Sequence, residues 1–120
     1  MFGYGLVIPH YGTIVVGAGN TIGNYAVLHT STCITAGNKI IDDALYLSTG
    51  AKIINDISLG NCVSVSANSV VNKSIQESNV LLVGSPAIVK KESEPWYIRD
   101  GKEFERRVSA VEALRKTTGL

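Results

Sequence analysis

The sequence predicts an all-β fold, a single-stranded parallel β-helix built from hexapeptide repeats, with an α-helix at its C-terminal end. Large aliphatic residues recur every six positions, a small or apolar residue often precedes them by two positions, and a turn former often follows them. A helix would require spacings of three and four, and a simple strand spacings of two. A six-residue repeat indicates a stack of coils. The large residues are Val16, Ile22, Leu28, Ile34, Ile41, Leu47, Ile53, Leu59, Val65 and Val71.

Each repeat supplies one short strand of a coil. Because side chains alternate along a strand, a residue and the one two positions before it point to the same side. A single coil cannot bury its own apolar face, so the coils must stack to form a core. The smaller inward partners are Ala26, Thr32, Ala51, Ile57, Val63 and Ser69.

One step of the repeat is seven residues long, between Ile34 and Ile41. Gly37 and Asn38 lie inside this step and mark a turn that has to absorb an extra residue. Corners of a coil accept insertions without disturbing the core, and such loops often carry function. This corner is therefore either the edge of a binding site or a slip in the repeat without a function.

Composition favours one core and argues against several classes of partner. The chain has 120 residues and a formal net charge of +1, so no strong attraction to nucleic acid or to an anionic membrane is expected. No apolar run approaches the roughly 18 residues of a membrane span. Met1 to Ile8 lack the basic start and long apolar run of a secretory signal.

The two cysteines, Cys33 and Cys62, fall at different places in their hexapeptides and are not expected to stack on each other. We interpret them as free thiols in a reducing compartment, which indicates a cytoplasmic protein. No paired Cys/His spacing accompanies them, so no metal site is expected.

The C-terminal part differs in composition, which predicts a coil domain over residues 1–91 and an extension over residues 92–120. Phe104, Val108, Val111 and Leu114 follow helical spacing and predict an amphipathic helix. The apolar segment 95–98 before it is either a strap packed on the coil or a neighbouring subunit, or a lid that binds the acceptor.

Two motifs resemble a known family. The segment 5–17 reads Gly-Leu-Val-Ile-Pro-His-Tyr-Gly-Thr-Ile-Val-Val-Gly, and residues 84–87 read Gly-Ser-Pro-Ala. With the repeat, they are similar to the hexapeptide acyltransferases, and most similar to the serine O-acetyltransferase branch, from about residue 3 to residue 91. The resemblance implies a left-handed coil of triangular section, a homotrimer, acetyl-CoA as donor and transfer to a hydroxyl.

Acetyl transfer to an alcohol requires removal of the hydroxyl proton, and a neutral imidazole suits this task. His10 and His29 are the two histidines of the chain. His10 matches the family's catalytic base by position; the alternative is a structural role in capping a turn. His29 follows the inward Leu28 and should point outward, either as a base at a subunit boundary or as a polar surface residue.

The sequence also departs from the family. The aspartate that orients the catalytic histidine in the family would fall before Met1, so no residue can be named for it. The family's N-terminal helical domain has no counterpart, and the loop corresponding to residues 35–40 lacks the family's second histidine. A base without its orienting carboxylate more often keeps the wrong tautomer.

Small residues at stacked corners would let the amide-rich arm of CoA approach the backbone. The resemblance implies that these corners line the CoA groove and that two lysines meet the CoA phosphates. The alternatives are tight corners without a ligand and lysines that are merely solvated. The residues concerned are Gly50, Ala51, Ser66, Ala67, Gly84, Ala87, Lys90 and Lys91.

Three hypotheses for function follow. The first is an acetyl-CoA-dependent O-acetyltransferase acting on serine or a similar small hydroxyl compound, with His10 as general base. The second is the same chemistry on a sugar hydroxyl in surface polysaccharide synthesis, with His29 contributing across a subunit boundary. The third is a trimeric scaffold with weak or no catalysis.

Overall fold

The computed structural model describes residues 1–118, with side chains through residue 116. Twelve strands precede two helices in this range. The strands are β1 (Ile14–Val16), β2 (Thr21–Ile22), β3 (Val27–Leu28), β4 (Thr32–Ile34), β5 (Ile40–Ile41), β6 (Tyr46–Leu47), β7 (Lys52–Ile53), β8 (Ser58–Leu59), β9 (Val63–Val65), β10 (Val70–Val71), β11 (Val80–Gly84) and β12 (Ala87–Glu92). The helices are α1 (Trp96–Arg99) and α2 (Lys102–Thr118).

The strands form three sheets that wrap around one core. From β1 to β7 each strand pairs in parallel with the strand three places further on, so three strands make one turn of the coil. The sheet orders are β1-β4-β7-β10, β2-β5-β8 and β3-β6-β9-β11-β12. This connectivity confirms the parallel β-helix predicted from the hexapeptide spacing.

The predicted inward residues form the core, with one exception. From Ile22 to Val71 the repeat positions are at most 2% exposed, and their smaller partners are buried as well. Val16 is the exception, with 36% of its surface exposed. It lies on β1, the edge strand of its sheet, so only β4 covers it.

Hydrogen bonds from two buried side chains hold the turn inside the seven-residue step. The side-chain amide of Asn20 donates to the carbonyl oxygens of Gly17 (3.1 Å) and Thr35 (2.9 Å). Lys39 is 1% exposed, and its Nζ donates to the same Thr35 oxygen at 2.7 Å. The extra residue is thus absorbed by a buried polar arrangement, as expected of a corner that serves packing.

The coil ends in a pair of strands of opposite direction. β11 pairs in parallel with β9 and in antiparallel fashion with β12. The hydrophobic spacing did not predict β12, because Ala87 is its single buried residue and the rest of the strand is exposed. The boundary between residues 91 and 92 stays a prediction.

The C-terminal extension packs back on the coil, against the outer surface of the sheet that contains β3, β6 and β9. Trp96 is 2% exposed and joins a second apolar cluster with Tyr25, Val27 and Ala44 on the coil side. Phe104 and Val108 of the confirmed helix α2 pack against the same cluster, and Val111 and Leu114 are exposed. The apolar face predicted for the helix therefore meets the coil only in its first half.

Candidate active site

One edge of the triangular coil carries most of the predicted site residues. We call it the histidine corner: residues 8–13, 29–31, 48–51, 66–69 and 84–86, which are the turns that follow the strands and bridge positions of one sheet. Successive turns lie above one another because Val7 pairs with Val27 and β3, β6, β9 and β11 pair in order. The predicted site residues on it are His10, His29, Gly50, Ala51, Ser66, Ala67 and Gly84.

His10 lies at the open end of the histidine corner. It lines a surface cavity of about 480 Å³ together with Ile8, Pro9 and Tyr11. All four residues are exposed, and the ring of Tyr11 is fully so. The imidazole of His10 is therefore accessible to a small hydroxyl compound from solvent.

His29 occupies the next turn of the corner and is half-buried. Its Nε2 lies 2.9 Å from the hydroxyl oxygen of Tyr46, and the two rings meet edge to face with centroids 5.1 Å apart. Burial, and then the charge of nearby His10, lower the pKa of His29, and Asp100 partly offsets the decrease. Because its ordinary pKa is about 6.5, His29 is neutral at pH 7 and can accept a proton.

Tyr46 and Arg99 complete the surroundings of His29, and the sequence reasoning missed both. The guanidinium of Arg99 lies 4.5 Å from the ring centre of Tyr46 and donates to the hydroxyl of Ser64 at 3.0 Å. The repeat could have found Tyr46, since Tyr46 pairs with Val27, two residues before His29. No sequence signal links Arg99 to the corner, because it comes from the extension.

The small residues of the histidine corner let its successive turns pack closely on one another. A side chain on Gly50 would meet the amide oxygen of Asn68 in the next turn, and the φ of +76° at Gly50 favours glycine. Ala51 is fully buried in the core. The backbone N–H of Gly50 donates to the Thr30 carbonyl at 3.1 Å, and that of Ser66 donates to the Leu82 carbonyl at 3.0 Å. Ala67, fully on the surface, is the most accessible of the predicted donor residues in these turns.

The remaining donor residues lie on or beside β12. Gly84 pairs with Ala87, whose side chain is buried in the core. Lys90 and Lys91 are exposed three and four residues further along the strand, roughly 10 to 13 Å from Ala87 by strand rise. The structure thus sets the two lysines apart from the corner, at the end of the coil.

Two kinds of feature are absent from residues 1–118. No group of three or more histidine, cysteine or acidic side chains in this range could hold a metal ion. None of the described helices combines the length and apolar character needed to cross a bilayer.

Serine acetyltransferases are among the known proteins that the chain resembles. No protein-family model matches the chain. It is 33% identical to a serine acetyltransferase of Buchnera aphidicola over 84% of its length and 40% of the relative's, and 30% identical to that of Staphylococcus aureus over 85% and 49%. The chain therefore spans less than half of the curated relatives it matches.

A solved structure agrees with these relatives. The serine acetyltransferase of Brucella abortus in complex with coenzyme A superposes with a TM-score of 0.69 and 27% identity, over 78% of this chain and 40% of that chain. The coil has the left-handed winding of such neighbours. The chain belongs to the hexapeptide-repeat acyltransferase superfamily, and it resembles the serine acetyltransferase branch over the coil region.

Proposed function

We propose that the chain is the coil domain of an acetyl-CoA-dependent O-acetyltransferase whose acceptor is the hydroxyl of serine or of a similar small compound. One observation carries the proposal. Both imidazoles and most of the small residues implicated in donor binding lie on one corner of a coil whose sequence relatives are named serine acetyltransferases. An aqueous cavity beside His10 leaves room for a small acceptor.

His10 is the proposed general base. Acetyl-CoA supplies the acetyl group as a thioester and is a co-substrate. The neutral imidazole takes the acceptor's hydroxyl proton as the oxygen attacks the thioester carbon, and it returns that proton to the sulfur as the carbon–sulfur bond breaks. The exposed position of His10, and its match to the family's base within segment 5–17, support this role.

His29 is the proposed second imidazole of the site. It lies near enough to His10 for the charge of one ring to lower the pKa of the other. Burial, and then the charge of His10, lower the pKa of His29, and a neutral ring is the form that accepts a proton.

The proposed donor site runs along the histidine corner towards β12. Gly50, Ala67 and Gly84 follow one another in successive turns and keep the surface low enough for a chain of amides to lie against it. Lys90 and Lys91 would then meet the phosphates beyond the end of the corner, since exposed ammonium groups suit that task as point charges.

The proposed assembly is a homotrimer in the cytoplasm. Exposed apolar side chains around the open end of the coil support self-association, because they would be covered in an oligomer. The two cysteine thiols are free, as in proteins of a reducing compartment. The exposed apolar residues include Ile8, Val15, Val16 and Ile40.

An acceptor panel tests the proposed function. The purified chain is given acetyl-CoA with serine, with threonine or with nucleotide and oligosaccharide acceptors, and the release of free CoA is followed. Release that depends on serine supports the proposal. If CoA is released only with a sugar acceptor, the acceptor is a sugar hydroxyl and not serine. If the chain binds acetyl-CoA but releases no CoA with any acceptor, the chain is a scaffold.

A further inference from the structure

The C-terminal extension reaches His29 through two intervening side chains. Arg99, in the last turn of α1, places its guanidinium 4.5 Å from the ring centre of Tyr46. The hydroxyl of Tyr46 in turn lies 2.9 Å from Nε2 of His29. We propose that Tyr46 and Arg99 are positioning residues of the acetyl-transfer site, because they fix the ring orientation of His29. The inference rests on the proposed function for its catalytic consequence.

The hydrogen bond to Tyr46 gives the two ring nitrogens of His29 different roles. Nε2 is engaged by the hydroxyl, so a proton that His29 exchanges at the histidine corner has to pass through Nδ1. The hydroxyl can donate to Nε2 or accept from it, so this bond holds the ring in place in either tautomer. The edge-to-face contact of the rings adds a second restraint on orientation.

Arg99 is itself held from two sides. Its guanidinium donates to the hydroxyl of Ser64 at 3.0 Å and forms an ion pair with Asp100 at 3.3 Å. Ser64 pairs with Tyr46 in the neighbouring strand, so the arginine spans two turns of the coil. A guanidinium with these contacts keeps the Tyr46 ring from rotating away from His29.

The charged and titratable groups around His29 come from three elements. His10 of the turn above lowers the pKa of His29, Asp100 after α1 raises it, and Tyr46 contributes its hydroxyl from β6. Burial, and then the charge of Asp100, raise the pKa of Tyr46, and Arg99 partly offsets the increase. The extension thus contributes one cation and one anion to the surroundings of the second imidazole.

The test combines imidazole ¹⁵N NMR with steady-state kinetics. The chain has two histidines, so His10→Gln assigns the signals of His29. We expect the ¹⁵N shift of His29 Nε2 to change in Tyr46→Phe, because that nitrogen loses its hydrogen-bond partner. The kcat of Tyr46→Phe should fall about threefold to tenfold, the equivalent of one hydrogen bond, while KM for acetyl-CoA stays within about twofold. Arg99→Gln should show the same changes, and Arg99→Lys should restore part of them.

Arg107→Gln is the matched control. Arg107 also lies over an aromatic ring of the extension, at 5.7 Å from the centre of Phe104, and forms an ion pair with Glu103. It should leave the His29 signals and kcat unchanged. Unchanged ¹⁵N shifts in Tyr46→Phe would overturn the inference, and changed shifts with unchanged kcat would overturn its catalytic part. Absence of acetyl transfer by the parent would end the proposed function, and the shifts would still decide whether Tyr46 and Arg99 position His29.

Discussion

The indole nitrogen of Trp96 donates a hydrogen bond to the backbone carbonyl of Tyr25 at 2.7 Å, and this bond fastens the C-terminal extension to the coil. Tyr25 lies in a turn of the coil and has a positive φ of 60°. The indole ring also packs against Tyr97 and Phe104, with ring centres 5.8 and 5.2 Å away. The extension is thereby held on the wall that leads to His29.

Replacing Trp96 should destabilise the whole chain. Trp96→Ala leaves a large cavity and an unpaired carbonyl, so we expect the free energy of unfolding to fall by about 3 to 5 kcal/mol. Chemical denaturation followed by circular dichroism measures this. Ile98→Ala, at a half-exposed position of the same short helix, is the control and should cost far less. Equal losses in the two variants would show that the indole does not fasten the extension.

Glu112 makes a second attachment between the extension and the coil, through hydrogen bonds from two tyrosine hydroxyls to its carboxylate. Its carboxylate accepts hydrogen bonds from the hydroxyls of Tyr25 (2.6 Å) and Tyr4 (2.8 Å) and from Arg115 (2.8 Å). The bonds from Tyr25, Tyr4 and Arg115 lower the pKa of Glu112 to about 2. Glu112 pairs with residues at both ends of the sequence, so its loss would loosen segment 4–7 as well as helix α2.

Because the pKa of Glu112 is lowered in the folded chain, the free energy of unfolding should decrease as the pH falls. The unfolded carboxyl has a pKa of about 4.3, so the stabilisation is complete above that pH and is lost between about pH 4.3 and pH 2. Glu112→Gln should lower the free energy of unfolding at pH 7 and flatten its decrease between pH 5 and pH 2. Glu103→Gln, which removes an exposed ion pair, is the control. Parallel pH curves for the parent and Glu112→Gln would contradict the assignment.

Asn20 should contribute more than the buried Lys39 to the stability of the turn in the seven-residue step. Its amide serves two backbone carbonyls, and its oxygen accepts the N–H of Lys39 at 3.1 Å. Asn20→Ala removes the partner of the Gly17 carbonyl and of the Lys39 N–H, while the Thr35 carbonyl keeps Lys39 Nζ. We expect a loss of about 2 to 4 kcal/mol in the free energy of unfolding. Lys39→Met keeps the volume and removes a buried charge, so it should change stability by less than about 1.5 kcal/mol.

Thermal and urea denaturation measure both effects, with Asn38→Ala as an exposed control in the same turn. A larger loss in Lys39→Met than in Asn20→Ala would mean that the ammonium group, and not the amide, holds this corner.

The coil was predictable from the sequence because its signal is periodic and local. Residues such as Leu47 and Ile53 are fully buried at the positions that the six-residue spacing assigned to the core. β12 escaped prediction since most of its residues face solvent. Val16 was wrong as a core residue because burial there depends on a covering strand, which an edge position does not have.

The candidate site was predictable only in part. The resemblance indicated His10 as the base. The place of His29 directly after the inward Leu28 predicted that its side chain points outward. Tyr46 and Arg99 could not be inferred together, because their contact joins β6 to the extension across more than fifty positions of sequence. Contacts of this kind depend on how a terminal segment packs on the coil, and repeat spacing carries no information about it.

The most direct test of acetyl transfer at the histidine corner is the rate of serine-dependent CoA release by His10→Ala. We expect this rate to fall by roughly 10² to 10⁴ relative to the parent, the usual contribution of a general base. Lys73→Ala, an exposed substitution on another corner, should leave it unchanged. An unchanged rate in His10→Ala would contradict the assignment of His10 as the base.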